Sequence, residues 1–436
     1  VSELVGGDTA WLLTSAALVL VMFPGLAFFY GGLTRAPSVL NTLMMTLAAL
    51  GVGTVLWVLV GYSLAFAPGS PWIGGLQYVG FAGVDGAVNA TYAEGVPHIL
   101  FAVFQGMFAA ITLALISGAV VERMRFTAYL AFIALWSVLV YAPLAHWVWG
   151  DGGWIRETGA LDFAGGTVVH ISAGVAAVVA ASMLGRRRDF GRTAFVPHNV
   201  PFVVLGAGLL WFGWFGFNGG SALGANDIAT AAFATTHVAA AAGVLMWVLL
   251  DLWKHGHATA VGAATGAVAG LVGITPAAGF VTPMSALAIG AAGAATAFGA
   301  IRLRAGTRLD DSLDVFACHG VAGIVGAVLT GVFASTAVNP DGADGLLAGG
   351  GVGLLGIQIT AVLAAMVFAA SMTAGILFVL GTLMPLRVPL TVEVTGIDVA
   401  EHGEEAYQSG DLASLGAIGA PVVLPVGGAA EDRARR

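Results

Sequence analysis

The chain has 436 residues, of which 58% are hydrophobic and 9% charged. Its mean hydropathy is +0.92, whereas a soluble chain carries about 25% charged residues, so the composition is that of a membrane protein. The net charge of −8 comes largely from loops and the tail and points to no partner. No basic cluster stands beside aromatics, so nucleic-acid binding has no support, and the single cysteine, Cys318, excludes an intrachain disulfide framework.

A spanning helix needs about 20 apolar residues. Apolar runs predict helices over 9–31, 39–66, 98–121, 127–149, 163–185, 200–218, 228–252, 258–275, 283–301, 313–335 and 353–383. The expected architecture is therefore an all-α polytopic membrane protein with eleven transmembrane helices. The first run begins so close to Val1 that no signal-peptide pattern is visible. Residues 1–385 are expected to form the transmembrane domain and 386–436 a cytoplasmic C-terminal tail.

Basic residues concentrate in cytoplasmic loops. Arg35 follows the first run, Arg123 and Arg125 the third, and Arg186, Arg187, Arg188 and Arg192 the fifth. Lys254 follows the seventh, and Arg302, Arg304 and Arg308 the ninth. Arg156 alone lies in a loop after an even-numbered run. This bias places the N-terminus outside and the C-terminus, with Arg387, inside.

Two motif pairs echo along the chain. "HISAG" at 170–174 matches "HGVAG" at 319–323, and "FFYGG" at 28–32 matches "GFNGG" at 216–220. Asp162 precedes His170 by eight residues, as Asp311 precedes His319. The pairs relate run one to run six and run five to run ten. Five is odd, so the second half enters from the opposite side. The pattern predicts an inverted five-plus-five helix repeat plus one extra helix, with a transport site at the repeat interface near the midplane.

Depth follows from helical rise. His170 lies about 12 Å inside the outer end of its helix, and His319 about 12 Å inside the inner end of its own, at 1.5 Å per residue. In a core of about 30 Å the two imidazoles share nearly one level. A lone intramembrane histidine is often only an interhelical hydrogen bonder. A pair at mirrored depths, in an otherwise apolar setting, is a functional candidate. Two histidines alone are too few ligands for a closed zinc site, so no metal and no cofactor is expected. Asp162 reads most simply as a helix N-cap.

Several segments together carry a family resemblance: "AHWVWGDGGW", "LDFAGGTVVHIS", "WFGWFGFNGGSA", "FQGMFAAIT", "AGLVGITPAAGF" and "DVFACHGVAGIVG", with the tail "LRVPLTVEVTGIDVAEHGEEAY". The chain resembles the ammonium transporter (Amt/Mep/Rh) family, Amt branch, from about residue 8 to Tyr407. The resemblance implies a cell-membrane homotrimer with one pore per subunit and no enzymatic activity. By the same resemblance, His170 and His319 match the twin histidines lining the pore, and Phe108 and Phe217 the stacked pair closing its outer mouth. Trp149, Ser221 and Phe108 match the residues that hold ammonium in the vestibule. Phe104 matches a vestibule aromatic, and Asp162 the buried acid nearby. The implied partners are ammonium or ammonia, methylammonium, membrane lipid and a PII-type signal protein at the inner face.

Physical chemistry supports these roles. Ammonium donates four hydrogen bonds. An aromatic face attracts it by about 0.5–2 kcal/mol, and a hydroxyl accepts one of its protons. The resulting expectation is recruitment at the mouth, deprotonation, and passage through a hydrophobic pore past the two histidines. Electrogenic ammonium transport and ammonia conduction both fit the sequence. The alternative is an ammonium sensor signalling through its tail. Such sensors carry an added signalling domain, and none is legible in residues 409–436.

Overall fold

The computed structural model describes residues 3–407; residues 408–436, most of the expected tail, lie outside the described residues. Ten helices are long and apolar enough to cross a membrane among the described residues. We number the spans in chain order: α1 (Gly6–Leu33), α2 (Ala36–Phe66), α3 (His98–Ser117), α4 (Phe126–Glu157), α5 (Gly166–Leu184), α6 (Val200–Gly220) and α7 (Asp227–His255). The shorter α8 (Ala260–Ile274) follows, then α9 (Pro283–Ala305), α10 (Phe316–Phe333) and α11 (Gly353–Leu383). A two-stranded hairpin, Gly69–Ser70 with Ile73–Gly74, sits between α2 and α3.

Several boundaries differ from the sequence expectation by a few residues or more, and three of them have a clear local cause. The eighth run, expected over 258–275, is a helix of only 15 residues, about 22 Å long. Its polar partner Thr259 caps the start, accepting the Gly262 N–H, and tight turns carry the chain on through Phe280. The third helix ends at Ser117, four residues early, because residues 118–123 turn sharply into Glu122, which holds a positive φ of 66°. The fifth starts at Gly166, where Gly165 takes φ 105°, a conformation open to glycine at little cost.

Helices meet through glycine, as expected where lipid gives no hydrophobic drive between helices. α1 and α6 cross where Gly25 faces the Leu210 backbone and Gly206 faces the Phe29 backbone. Any side chain there would meet main chain. α5 and α10 cross the same way: a Cβ on Gly174 would meet the backbone of Gly320, and one on Gly323 would lie 3.3 Å from the Cβ of His170.

The ends of α1, α3 and α5, the segment before α10 and the stretch after α11 meet in one ion network. Glu122 pairs with Arg35 at 3.1 Å and Arg187 at 2.6 Å. Arg187 also pairs with Asp310 at 2.8 Å, and its guanidinium lies 3.8 Å from the centre of the Phe195 ring. Beyond α11, short helices α12 (Leu390–Thr395) and α13 (Asp398–His402) pack onto this face. Glu393 pairs with Arg387 at 2.7 Å, and Asp398 accepts the backbone N–H groups of Leu40 and Asn41.

Burial pushes the Glu122 carboxyl up, but the Arg187 and Arg35 guanidinium groups outweigh it and hold the group below the ordinary carboxylate range. Asp310 is lowered in the same way: burial opposes, and Arg187 outweighs it. A carboxylate whose folded pKa is depressed contributes stability above its unfolded pKa and loses it as pH falls through the folded one. Thermal stability in detergent should therefore hold from neutral pH down to about pH 4 and fall below that. Glu122→Gln should cost about 3 kcal/mol at pH 7, since it leaves the buried Arg187 with one partner fewer, and should flatten the acid-side drop. A melting series across pH checks both; equal acid sensitivity in the variant would contradict the assignment.

Candidate functional site

The site begins with how α5 and α10 are started. The carboxylate of Asp162 accepts four backbone N–H groups, those of Gly165, Gly166, Thr167 and Val168, at 2.6–3.1 Å. It satisfies all four free donors that a helix start leaves, although Gly165 and not Asp162 holds the N-cap position. Asp311 occupies the equivalent place before α10 and accepts the Phe316 N–H at 2.7 Å. Each helix then opens with a wider π-helical turn, Gly166–Ile171 and Phe316–Val321. Such turns recur at functional sites, and each holds one of the histidines.

The two turns face each other. His170 Nδ1 and His319 Nδ1 are 3.3 Å apart, with the ring centres at 5.3 Å and the planes 23° from parallel. Both rings are buried. A hydrogen bond between two Nδ1 atoms requires one ring to donate and the other to accept. The donor ring then carries a bare Nε2, and the acceptor ring an Nε2–H. The pair therefore offers the surrounding space one acceptor and one donor. His170 Nε2 has no protein partner among the described residues.

Around the rings lies a cavity of about 10 Å³, walled by Leu26, Ile111, Trp214, Phe217 and Val268. That is room for one water-sized molecule. Trp214 stacks on His170 with ring centres 5.4 Å apart and is fixed by its Nε1–H, which donates to Thr275 Oγ at 2.9 Å. Phe217 closes one side of the cavity. Its ring stacks on that of Phe108 at 4.1 Å and 25°.

Outside the Phe108–Phe217 pair lies a pocket of about 320 Å³, lined by Phe108, Trp149, Asp162, Ser221 and Gln105 among others. The Trp149 ring stands edge-on to Phe108 at 6.1 Å, with its Nε1–H bonded to the Asp162 carbonyl. The Ser221 hydroxyl donates to the Phe217 carbonyl at 2.8 Å. On the far side of the histidines a second pocket of about 350 Å³ is lined by Phe29, Asp251, Asp314 and Cys318. Phe29 walls both this pocket and the small cavity, so the small apolar cavity at the histidines lies between two roomier pockets.

The structure thus brings together Trp149, Phe108, Ser221 and Asp162 at one pocket, and Phe217, His170 and His319 in the passage behind it. Phe104 differs. It is fully buried behind Phe108, with ring centres 4.9 Å apart, and is not among the residues lining the pocket. Sequence reasoning passed over Trp214, Thr275 and Gln358. Gln358 on α11 accepts the Leu161 N–H and donates to the Leu161 and Ala327 carbonyls, pinning the approach to Asp162. A glutamine inside an apolar helix was the available signal, because a polar group there needs a partner. Among the described residues no three His, Cys, Asp or Glu side chains gather to hold a metal ion.

Apolar spans with a buried histidine pair in a small apolar cavity between two pockets are the features of a polytopic membrane transporter. The chain matches the Ammonium Transporter Family over residues 10–407. It is 49% identical to an ammonium transporter of Bacillus subtilis (strain 168) over 403 residues, covering 92% of this chain and 98% of the relative. It is 50% identical to an ammonium transporter of Aquifex aeolicus (strain VF5) over 410 residues, covering 92% and 93%. The crystal structure of Candida albicans Mep2 superposes with a TM-score of 0.85 at 38% identity, covering 93% of this chain and 91% of that one. The chain belongs to the ammonium transporter family. It is a multi-pass protein of the cell membrane that transports ammonium, and it is not an enzyme.

The α5–α10 crossing sets the histidine contact, so it can be tested by packing alone. Gly174→Ala drives a methyl group into the Gly320 backbone. It should cost about 1–3 kcal/mol and reduce transport by spreading the two rings. Gly356→Ala, on the open face of α11 with nothing near its Cβ, should do neither. Melting temperature in detergent and vesicle uptake, measured on both variants, decide this; equal behaviour would show that the crossing tolerates added bulk.

Proposed function

We propose that ammonium is recruited in the outer pocket, deprotonated there, and passed as a neutral molecule between Phe108 and Phe217 to the histidine pair. Trp149 and Phe108 offer aromatic faces to the cation, and Ser221 offers a hydroxyl oxygen. Phe104 supports the site from behind Phe108. Asp162 is the structural acid, since its carboxylate is committed to the start of α5. His170 and His319 handle the proton or guide ammonia. The observation that carries this reading is the pair of imidazoles in contact within an apolar passage too narrow for a hydrated ion.

Energies favour it. A bare charge at the membrane centre costs about 2.5–3.5 kcal/mol even on lenient scales. Ammonium, with a pKa of about 9, sheds its proton at pH 7 for about 2.7 kcal/mol. Potassium has no proton to shed, so a dry passage excludes it. Methylammonium loses a proton by the same chemistry and is a further substrate.

The same reading extends to the assembly. The near-symmetric crossing, in which Gly174 meets residues 319–320 and Gly323 meets residues 170–171, supports an inverted five-plus-five repeat. Basic residues at the inner ends of odd-numbered spans support an outside N-terminus and a cytoplasmic C-terminus, with residues 1–385 forming the membrane domain and 386–436 the tail. The protein forms a homotrimer in the lipid membrane, and a PII-type signal protein docks on the cytoplasmic face that α12 and α13 cover. Native mass measurement should give three chains per particle, and pull-down with PII-type proteins, with ATP, ADP or 2-oxoglutarate, should capture one in at least one state. A monomer, or no capture in any state, would remove the corresponding part.

Transport currents in reconstituted vesicles test the central reading. His170→Ala and His319→Ala should change ammonium flux and let potassium through, because removing a ring admits water. Ser221→Ala and Trp149→Leu should raise half-saturation by roughly three- to tenfold, from a lost hydrogen bond to a charged group at the low end of its range or a lost cation–π contact. If half-saturation stays put while only maximal current falls, these two residues belong to conduction and not to recruitment. Unchanged flux and potassium exclusion in both histidine variants would end the proposed role of the pair.

A further inference from the structure

His146 stands in the last turn of the regular helix of α4 that ends at Trp149, and its ring is fully buried. Nδ1 lies 2.9 Å from the carbonyl oxygen of Ala65, at the end of α2, and Nε2 lies 2.8 Å from that of Ser70 in the hairpin. A carbonyl oxygen only accepts, and a neutral imidazole has one N–H and one lone pair. A neutral ring would set a lone pair against one of these oxygens with no proton between them. Turning the ring over would aim two carbon atoms at the oxygens and forfeit both bonds. A ring with hydrogen on both nitrogens meets both carbonyls.

The surroundings favour that charge. The last turn of a helix presents carbonyl dipoles that attract a cation. Hydrogen bonds from an ionised donor are about twice as strong as neutral ones, and a buried charge is tolerated where it is fully hydrogen-bonded. The elements packed against this end of α4 are the last turn of α2, the hairpin, and residues 137–141, 154–157 and 166–171. No charged side chain lies between Arg35 and Asp85, so α2 and the hairpin bring only Tyr62, whose hydroxyl is bonded to His98. Residues 137–141 bring the Tyr141 phenol, and residues 166–171 bring His170, already bonded to His319. Asp151, Arg156 and Glu157 are exposed, and none of the ion pairs among the described residues includes His146.

The ring is one of three donors that fasten the hairpin to α4. The consecutive carbonyls of Ser70, Pro71 and Trp72 accept from His146 Nε2–H, the Trp154 backbone N–H and the Trp147 Nε1–H. Its other nitrogen fixes Ala65, next to Phe66. Phe66 and Trp149 line the pocket beside Phe108, and His146 does not. We infer that His146 is a doubly protonated imidazolium and a positioning residue, which sets Phe66 and Trp149 as the aromatic wall of that pocket. The charge follows from the two carbonyls; its effect on transport rests on this pocket being the recruitment site.

His146→Gln keeps a donor for Ser70, loses the one for Ala65 and cannot titrate. Nitrogen-15 NMR of the full-length chain with labelled histidine, in lipid vesicles at pH 7, reads the ring directly, and the variant identifies its signals. Two N–H nitrogens are expected; one bare nitrogen overturns the inference. Both bonds exist only while the second proton is held, so their stability is present at lower pH and lost as pH rises. The parent should melt about 1–3 °C above His146→Gln at pH 6, and that lead should close by about pH 9, well above the ordinary histidine range of about 6.5. Parallel melting curves overturn the inference. In vesicles, His146→Gln should raise ammonium half-saturation by roughly two- to threefold, less than Trp149→Leu does, with little change in maximal current. Unchanged half-saturation in His146→Gln beside a raised one in Trp149→Leu overturns the positioning role. Unchanged values in both reject the recruitment site, and NMR and melting then decide the charge on His146 by themselves. If His146→Gln does not reach the membrane, the parent spectrum decides alone: a ring with two N–H signals, each in contact with a carbonyl carbon, upholds the inference, and its absence overturns it.

Discussion

The contact between His170 and His319 is the interaction on which the rest of the molecule turns. Two imidazoles can share a hydrogen bond inside a membrane only if both helices that carry them come unusually close. The closeness is supplied by Gly174, Gly320 and Gly323, and by π-helical turns that set each ring toward the passage. Those turns need their own free N–H groups satisfied away from water, and the Asp162 carboxylate does so for α5. The acid eight residues before each histidine is thus part of the histidine site, although it touches neither ring through the bonds described.

Polarity is distributed in layers along the passage. The pocket beside Phe108 has aromatic faces, hydroxyls, two amides, Arg156 and the carboxylates of Asp162 and Asp341. The middle has only apolar walls and the two rings. Carboxylates reappear in the pocket on the far side of the histidines, at Asp251 and Asp314. A cation is therefore attractive at either end and unsupported between them. That arrangement suits a substrate able to leave its charge behind, and it is consistent with the ammonium transport that the family relationship establishes. The stacked Phe108 and Phe217 rings mark the boundary between the first two layers.

Charge is kept at the helix ends, where it serves as a fastening. Glu122, Arg35, Arg187 and Asp310 join the C-terminal ends of α1, α3 and α5 to the segment before α10. Glu393 and Asp398 then tie the stretch after α11 to the same face. Buried pairs of this kind add little stability in themselves but are costly to break singly. The membrane-spanning part and the following segment are consequently held in one register by groups that sit outside the apolar layer.

Much of this was open to reading in the sequence alone. Continuous apolar runs predicted eleven helices, because lipid forces every backbone group into internal hydrogen bonds; ten of them are long enough to span among the described residues. The mirrored spacing of Asp162–His170 and Asp311–His319 placed both rings at one depth, because helical rise is fixed. A capping role for Asp162 was expected from its position ahead of an apolar run, while the N-cap position itself falls to Gly165. Tertiary structure decided what lies across from what. Lateral contact of the rings, the stacking of Trp214 on His170, the displacement of Phe104 behind Phe108 and the two carbonyls that meet the His146 ring all depend on how separate elements meet. Residues 319 and 170 are 149 positions apart, and no local pattern encodes their distance. The shortness of α8 was hidden for a related reason: hydropathy records that a segment is apolar, while the turns that end its helix are hydrogen-bonded choices made among packed neighbours. Period and composition are properties of one helix, and the site is a property of several.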